Sequence, residues 1–178
     1  MSERLERVLD PAFVENLTEL ETAEVRSRRA EGSEVEVGLS YVRRLAQGRL
    51  DILVAELQRR AMGDPNHRLD DLVAQLGEIL TGDRSTANGN GRFPALMAPA
   101  ADDELAAELE AVLSDATMGD LPALSDEQAI TLGERLRDFE SRISEQRREV
   151  HSQLGLLEKE IVRRYKSGEA TVDSLLSS

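Results

Sequence analysis

Two stretches of the chain set acids, hydroxyls, guanidinium groups and an amide or imidazole at matched intervals. The first holds Glu36, Ser40, Arg43, Gln47 and Asp51, and the second holds Glu140, Ser144, Arg147 and His151. Steps of three and four residues keep each set on one face of a helix, and at ~1.5 Å per residue the longer set forms a strip about 22 Å long. The chemistry on offer is recognition. A guanidinium presents a planar donor fork and a stacking face, a carboxylate accepts from paired donors, and Ser and Gln add neutral hydrogen bonds. Such a strip can read the polar edges of a long ligand. Catalytic chemistry lacks its parts. There is no cysteine, hence no thiol nucleophile, thiolate metal site or disulfide framework. A carboxylate-bridged metal bundle needs Glu-x-x-His pairs, and neither His67 nor His151 has a Glu three residues before it. We expect no enzyme and no metal.

The strips need long helices to carry them. The chain has 178 residues and only 3% aromatic content, with Leu, Ala, Val, Glu and Arg prominent. That is the composition of long helices, so the chain reads as all-α. Within an N-terminal helical segment over residues 1–32, Asp10 and Pro11 form an N-cap and first helical position that open a short helix with Phe13, Leu17 and Leu20 on one side, interrupted at Gly32 and Ser33. A first motif helix follows over 33–62, with an apolar seam of Val35, Leu39, Val42, Ala46, Leu50 or Leu53, and Leu57, ended by Gly63, Asp64 and Pro65. Residues 63–124 form an insert with two short helices, at His67 to Leu80 and Asp102 to Ser114, separated by a Gly-, Asn- and Pro-rich linker from Thr81 to Ala101. Ser125 and Gln128 make a capping box for a second motif helix over 125–167, whose seam is Leu132, Leu136, Phe139, Ile143, Val150, Leu154, Leu157 and Ile161. Gly168 ends it, and 168–178 is a tail.

The expected architecture is a long antiparallel coiled-coil hairpin with short flanking helices and a long, partly irregular insert. In both motif helices the polar strip runs one residue after the seam, so both strips flank the helix interface. Setting Arg43 against Arg147 places Met62 opposite Gln128 and Ser33 opposite Leu157, and the first helix then ends where the second begins. The paired strips form a shallow groove with pseudo-two-fold symmetry, suited to a two-fold symmetric ligand.

Formal net charge is −13, which opposes direct DNA or RNA binding because phosphate contacts come from clustered Lys and Arg. A basic protein partner is expected instead. Met1 to Leu9 carries Glu3, Arg4, Glu6 and Arg7 where a signal peptide needs an apolar run, and no segment approaches the ~20 apolar residues of a membrane span. The expectation is a cytoplasmic chain with no membrane contact.

The pattern Glu36-x3-Ser40-x2-Arg43-x3-Gln47-x3-Asp51 resembles the E-x3-S-x2-R-x3-Q-x3-D signature of RsiG-type anti-sigma factors. The resemblance implies cyclic di-GMP, bound as a stacked dimer between two antiparallel helices, and a sigma factor of the sporulation or flagellar type sequestered when the nucleotide is bound. Acidic helices would then cover the basic surfaces of that sigma factor. On this resemblance Glu36, Ser40, Arg43, Gln47 and Asp51 are cyclic di-GMP contacts, as are Glu140, Ser144, Arg147 and His151. His151 stands where the family has Gln, and Gly155 where it has Asp. Guanine suits these groups, since Arg can bond its O6 and N7 and a carboxylate can accept from N1 and N2. Arg43, Arg44, Arg147 and Arg148 supply local positive charge for the phosphates. The competing expectation is a structural or adaptor coiled coil that binds a basic protein without nucleotide, its flanking charges forming interhelical ion pairs.

Overall fold

A computed structural model describes residues 3–63, 103–113 and 121–169. The described chain is all-α: α1 (Glu3–Leu9), α2 (Thr22–Gly63), α3 (Asp103–Leu113) and α4 (Asp126–Ser167), with 3₁₀ turns at Pro11–Val14, Leu17–Glu19 and Leu121–Ala123. It divides into two compact units, one of Met1–Ser40 and Ile143–Ser178, the other of Tyr41–Arg142. The expected helix at His67 to Leu80, the linker at Thr81 to Ala101 and most of the tail lie outside the described residues.

Each unit is an antiparallel pairing of one long helix with the other, covered by a short helix. In the first unit, Arg26, Arg29 and Glu36 of α2 meet Tyr165, Glu158 and Arg147 of α4, so ascending numbers on one helix meet descending numbers on the other. Its core contains Leu5 and Val8 of α1 with Phe13, Val25, Leu39, Ile143, Val150 and Leu157. In the second unit, Arg43 and Arg60 of α2 meet Glu140 and Asp126 of α4. Leu105, Leu109 and Leu113 of α3 are buried there with Val42, Ala46, Leu53, Leu136 and Phe139. Leu53, not Leu50, carries the seam, while Leu154 and Ile161 are only half-buried. Ion pairs fix the short helices: Arg4 and Arg7 hold Glu34 and Glu31, and Arg142 holds Glu108 at 2.6 Å.

Local signals explain most boundaries. Ser125 N donates to Gln128 Oε1 at 2.8 Å and Gln128 N donates to Ser125 Oγ at 3.2 Å, the reciprocal capping box that opens α4. Gly168, at φ 78°, supplies the left-handed residue that stops it. Asp10 does cap, accepting from Ala12 N at 2.9 Å, but it opens only a 3₁₀ turn. Asn16 at φ 52° then turns the backbone out of helical space, and α2 starts at Thr22.

The break expected at Gly32 and Ser33 does not occur, because α2 runs through both. Gly32 is there for close approach: a Cβ at that position would lie 3.0 Å from Leu154 Cδ2. Packing, rather than backbone freedom, selects the glycine.

The two long helices are copies. Each has 42 residues. Each follows a 3₁₀ turn, Leu17–Glu19 or Leu121–Ala123, which itself follows a short helix ending at Leu9 or Leu113 after the same interval. At that one fixed offset Leu5 matches Leu109, Leu17 matches Leu121, Leu20 matches Leu124, and Leu53 matches Leu157. The chain is an internal duplication, and each unit contains the start of one copy with the end of the other.

Candidate functional site

In the first unit the strip residues converge on a single carboxylate oxygen. Glu36 Oε1 accepts from Ser40 Oγ at 2.7 Å and from Arg147 Nε at 2.9 Å. His151 Nε2 lies 3.1 Å from the same oxygen. Arg147 Nε also donates to Ser40 Oγ at 2.8 Å. Burial pushes the Glu36 carboxyl up, but the hydrogen bonds from Ser40 and Arg147, helped by His151, outweigh it and hold the group below the usual carboxylate range. Glu36 is therefore an ionised acceptor, surrounded by donors.

The second unit repeats this with the helices exchanged. Glu140 Oε1 of α4 accepts from Gln47 Nε2 at 3.0 Å and from Arg43 NH1 at 3.3 Å, both on α2. Glu140, Arg43 and Gln47 occupy the positions of Glu36, Arg147 and His151 in the other copy. Arg43 Nε is buried and has no hydrogen-bond partner among the described residues. A buried donor left open is costly, on the order of 1–3 kcal/mol, and marks a place where an acceptor fits.

The expected strip residues thus fall into two clusters. Glu36, Ser40, Arg147 and His151 are brought together in one unit, and Arg43, Gln47 and Glu140 in the other. Ser144 is half-buried in the first unit, its carbonyl accepting from Arg148 Nε at 3.4 Å. Asp51 is exposed, and its counterpart Gly155 has open space where a Cβ would stand. Arg44 and Arg148 are exposed.

The helix register differs from the expected one by about one turn. Arg147 sits against Glu36 and Ser40 in its unit, and Arg43 sits against Glu140 in the other, rather than arginine against arginine. Electrostatics favours the observed pairing. Two guanidinium groups face to face repel, whereas a one-turn shift gives each an opposite charge.

A second polar set was not expected. Arg164 is buried at 3% exposure. Its Nε donates to Glu160 at 2.7 Å, NH1 to Thr22 Oγ1 at 2.9 Å, and NH2 to the carbonyls of Leu17 at 2.6 Å and Leu20 at 2.8 Å. In the other unit Arg60 does the same work, donating to Glu56 at 2.9 Å, to Asp126 and the Leu124 carbonyl at 2.8 Å each, and to the Leu121 carbonyl. Arg163 and Arg59 flank the same acids, Glu160 and Glu56. Hydrogen bonds from Arg163 and Arg164 hold Glu160 at about 2, and those from Arg59 and Arg60 hold Glu56 at about 2. Sequence carried the signal: Glu56-Leu57-Gln58-Arg59-Arg60 and Glu160-Ile161-Val162-Arg163-Arg164 stand at the same offset as the strips.

Among the described residues, paired helices carry two polar clusters of the same chemistry, an arrangement suited to binding. The RsiG-like family matches residues 11–80 and 115–178, and the chain belongs to this family of anti-sigma factors. The matched region takes in both polar strips. No curated protein and no solved structure matches the chain. Among the described residues no helix is long and apolar enough to cross a membrane.

Proposed function

We propose that the chain is a cyclic di-GMP-armed anti-sigma factor that sequesters a sigma factor of the sporulation or flagellar type. One observation carries the ligand part: two clusters of the same chemistry, Glu36 with Arg147 and Glu140 with Arg43, recur with the helices exchanged. A duplicated site of this kind suits a ligand with two equivalent halves. In each cluster a guanine would offer O6 and N7 to the arginine fork and N1 and N2 donors to the carboxylate, exchanging protein pairs for ligand pairs of the same polarity. Arg43 Nε supplies a buried donor that no described residue uses. Ser40, Ser144, Gln47, His151 and Asp51 complete the contacts by family resemblance.

Family membership supports a sigma factor as partner, and the net charge of −13 suits basic surfaces on it. Binding the nucleotide orders the strips and prepares the short helices to grip sigma, which is then kept from polymerase and promoter. The work is done in the cytoplasm and involves no direct DNA or RNA contact. Co-purification of the chain with candidate sigma factors tests this reading, with capture expected only when cyclic di-GMP is present.

A second reading has an observation of its own. The strip charges pair with one another across the helices, Arg147 to Glu36 at 2.9 Å and Arg43 to Glu140 at 3.3 Å, as those of an adaptor coiled coil would. Such part-exposed pairs contribute little stability, about 0–1 kcal/mol each. Capture of a partner that is equally strong without nucleotide would favour this reading.

A further inference from the structure

An apolar seam alone does not choose between helix registers. Leucine meets leucine again after a shift of one turn or one heptad, so burial changes little while every side-chain pairing across the interface changes. Directional polar bonds at fixed points do choose. Arg164 provides four in the first unit, binding the Leu17 and Leu20 carbonyls and the Thr22 hydroxyl, all at the entrance to α2, while Glu160 grips its Nε from within α4. The carbonyls are fixed backbone acceptors, so the contact defines where along α4 the start of α2 must lie. A guanidinium fork suits this task because it binds several acceptors in one plane. Arg60 makes the matching contacts in the second unit, between the end of α2 and the entrance to α4 at Leu121, Leu124 and Asp126.

Both arginines recur at the same distance along the chain from a strip arginine, Arg43 to Arg60 and Arg147 to Arg164. Each unit therefore pairs one polar cluster with one arginine clamp. We propose that Arg60 and Arg164 are positioning residues that set the helix register in each unit, and so bring Glu36 to Arg147 and Glu140 to Arg43 instead of one turn away. This rests on the cyclic di-GMP reading for its functional consequence, but the register itself can be tested without nucleotide.

The chain has no cysteine, so introduced pairs report position cleanly. Disulfides close only when Cα atoms come within about 7 Å. Gly32→Cys with Leu154→Cys reports the observed register, since a Cβ at position 32 would lie 3.5 Å from Leu154 Cγ, and Gly32→Cys with Glu158→Cys reports a one-turn slip. In the otherwise native full-length chain the first pair should close and the second should not. Adding Arg164→Ala should let the slipped pair close, and adding Arg164→Lys should do so in part, because an ammonium keeps the charge without the fork. Without the cysteines, Arg164→Ala should weaken cyclic di-GMP binding about tenfold or more, the equivalent of one base contact. An Arg164→Ala chain that keeps helical content and closes only the observed-register pair overturns the proposal, whatever its affinity. If that variant does not fold, Arg164→Lys decides in the same way. If the parent binds no cyclic di-GMP, the functional reading fails while the cross-link pattern still decides the register.

Discussion

Glu36 and Glu140 each gather donors onto one carboxylate oxygen, a guanidinium of the opposite helix among them. The two copies diverge where the strips end. Asp51 is exposed in the first, and Gly155 leaves open space in the second. On the proposed function, a guanine edge served by Asp51 would have no equivalent partner at Gly155. Gly155→Asp should therefore tighten cyclic di-GMP binding, measured by calorimetry. Gly155→Ala is the comparison, because nothing stands within 4 Å of either new Cβ and both replacements relieve the ~1 kcal/mol cost of a helix-interior glycine. Equal tightening by Ala would assign the gain to helix ordering, and weaker binding by Asp would place the phosphates too near for another negative charge.

At the level of elements, glycines inside α2 separate packing from propensity. Gly48 is exposed, with nothing within 4 Å of a Cβ, so Gly48→Ala should raise stability by up to about 1 kcal/mol. Gly32→Ala should gain less or lose, because its Cβ would meet Leu154 Cδ2 at 3.0 Å. Urea unfolding of both variants checks the difference; equal gains would remove the close-approach argument. The clamps give a pH signature. Glu160 and Glu56 are held at about 2 in the folded chain, below the ~4.3 of an unfolded glutamate. Their contribution is present above pH ~4.3 and is lost as pH falls from there toward about 2. Acid unfolding followed by helicity should be less steep in this window for Glu160→Gln than for the parent.

These elements also show how far residues alone could lead. Heptad spacing, the Ser125 box and Gly168 marked α4 because each acts locally, through side-chain periodicity or a cap within three residues. The Asp10 cap was legible too, but not that Asn16 would cut its helix to a 3₁₀ turn. Gly32 misled for a related reason: a glycine selected by a neighbour distant in sequence looks the same as one selected for a turn. The strips were readable as faces, whereas their register depends on how charges meet across the interface. Arg164 escaped notice because a buried guanidinium has no hydropathy signature; only its repetition in Arg60 betrays it.

Across the whole molecule, duplication accounts for more than any single motif. Among the described residues, short helix, 3₁₀ turn, 42-residue helix, acid-centred cluster and arginine clamp all occur twice, the repetition on which the proposed two-fold ligand rests. On the proposed function, the net charge of −13 suits a basic sigma factor as partner. Calorimetric titration of the full-length chain with cyclic di-GMP tests the central claim most directly. The account predicts saturable binding of two nucleotides per chain, weakened by ~1–3 kcal/mol in Arg43→Ala and in Arg147→Ala and unchanged in Arg135→Ala, an exposed residue that belongs to neither cluster. No binding by the parent, or equal binding by all four chains, would contradict it.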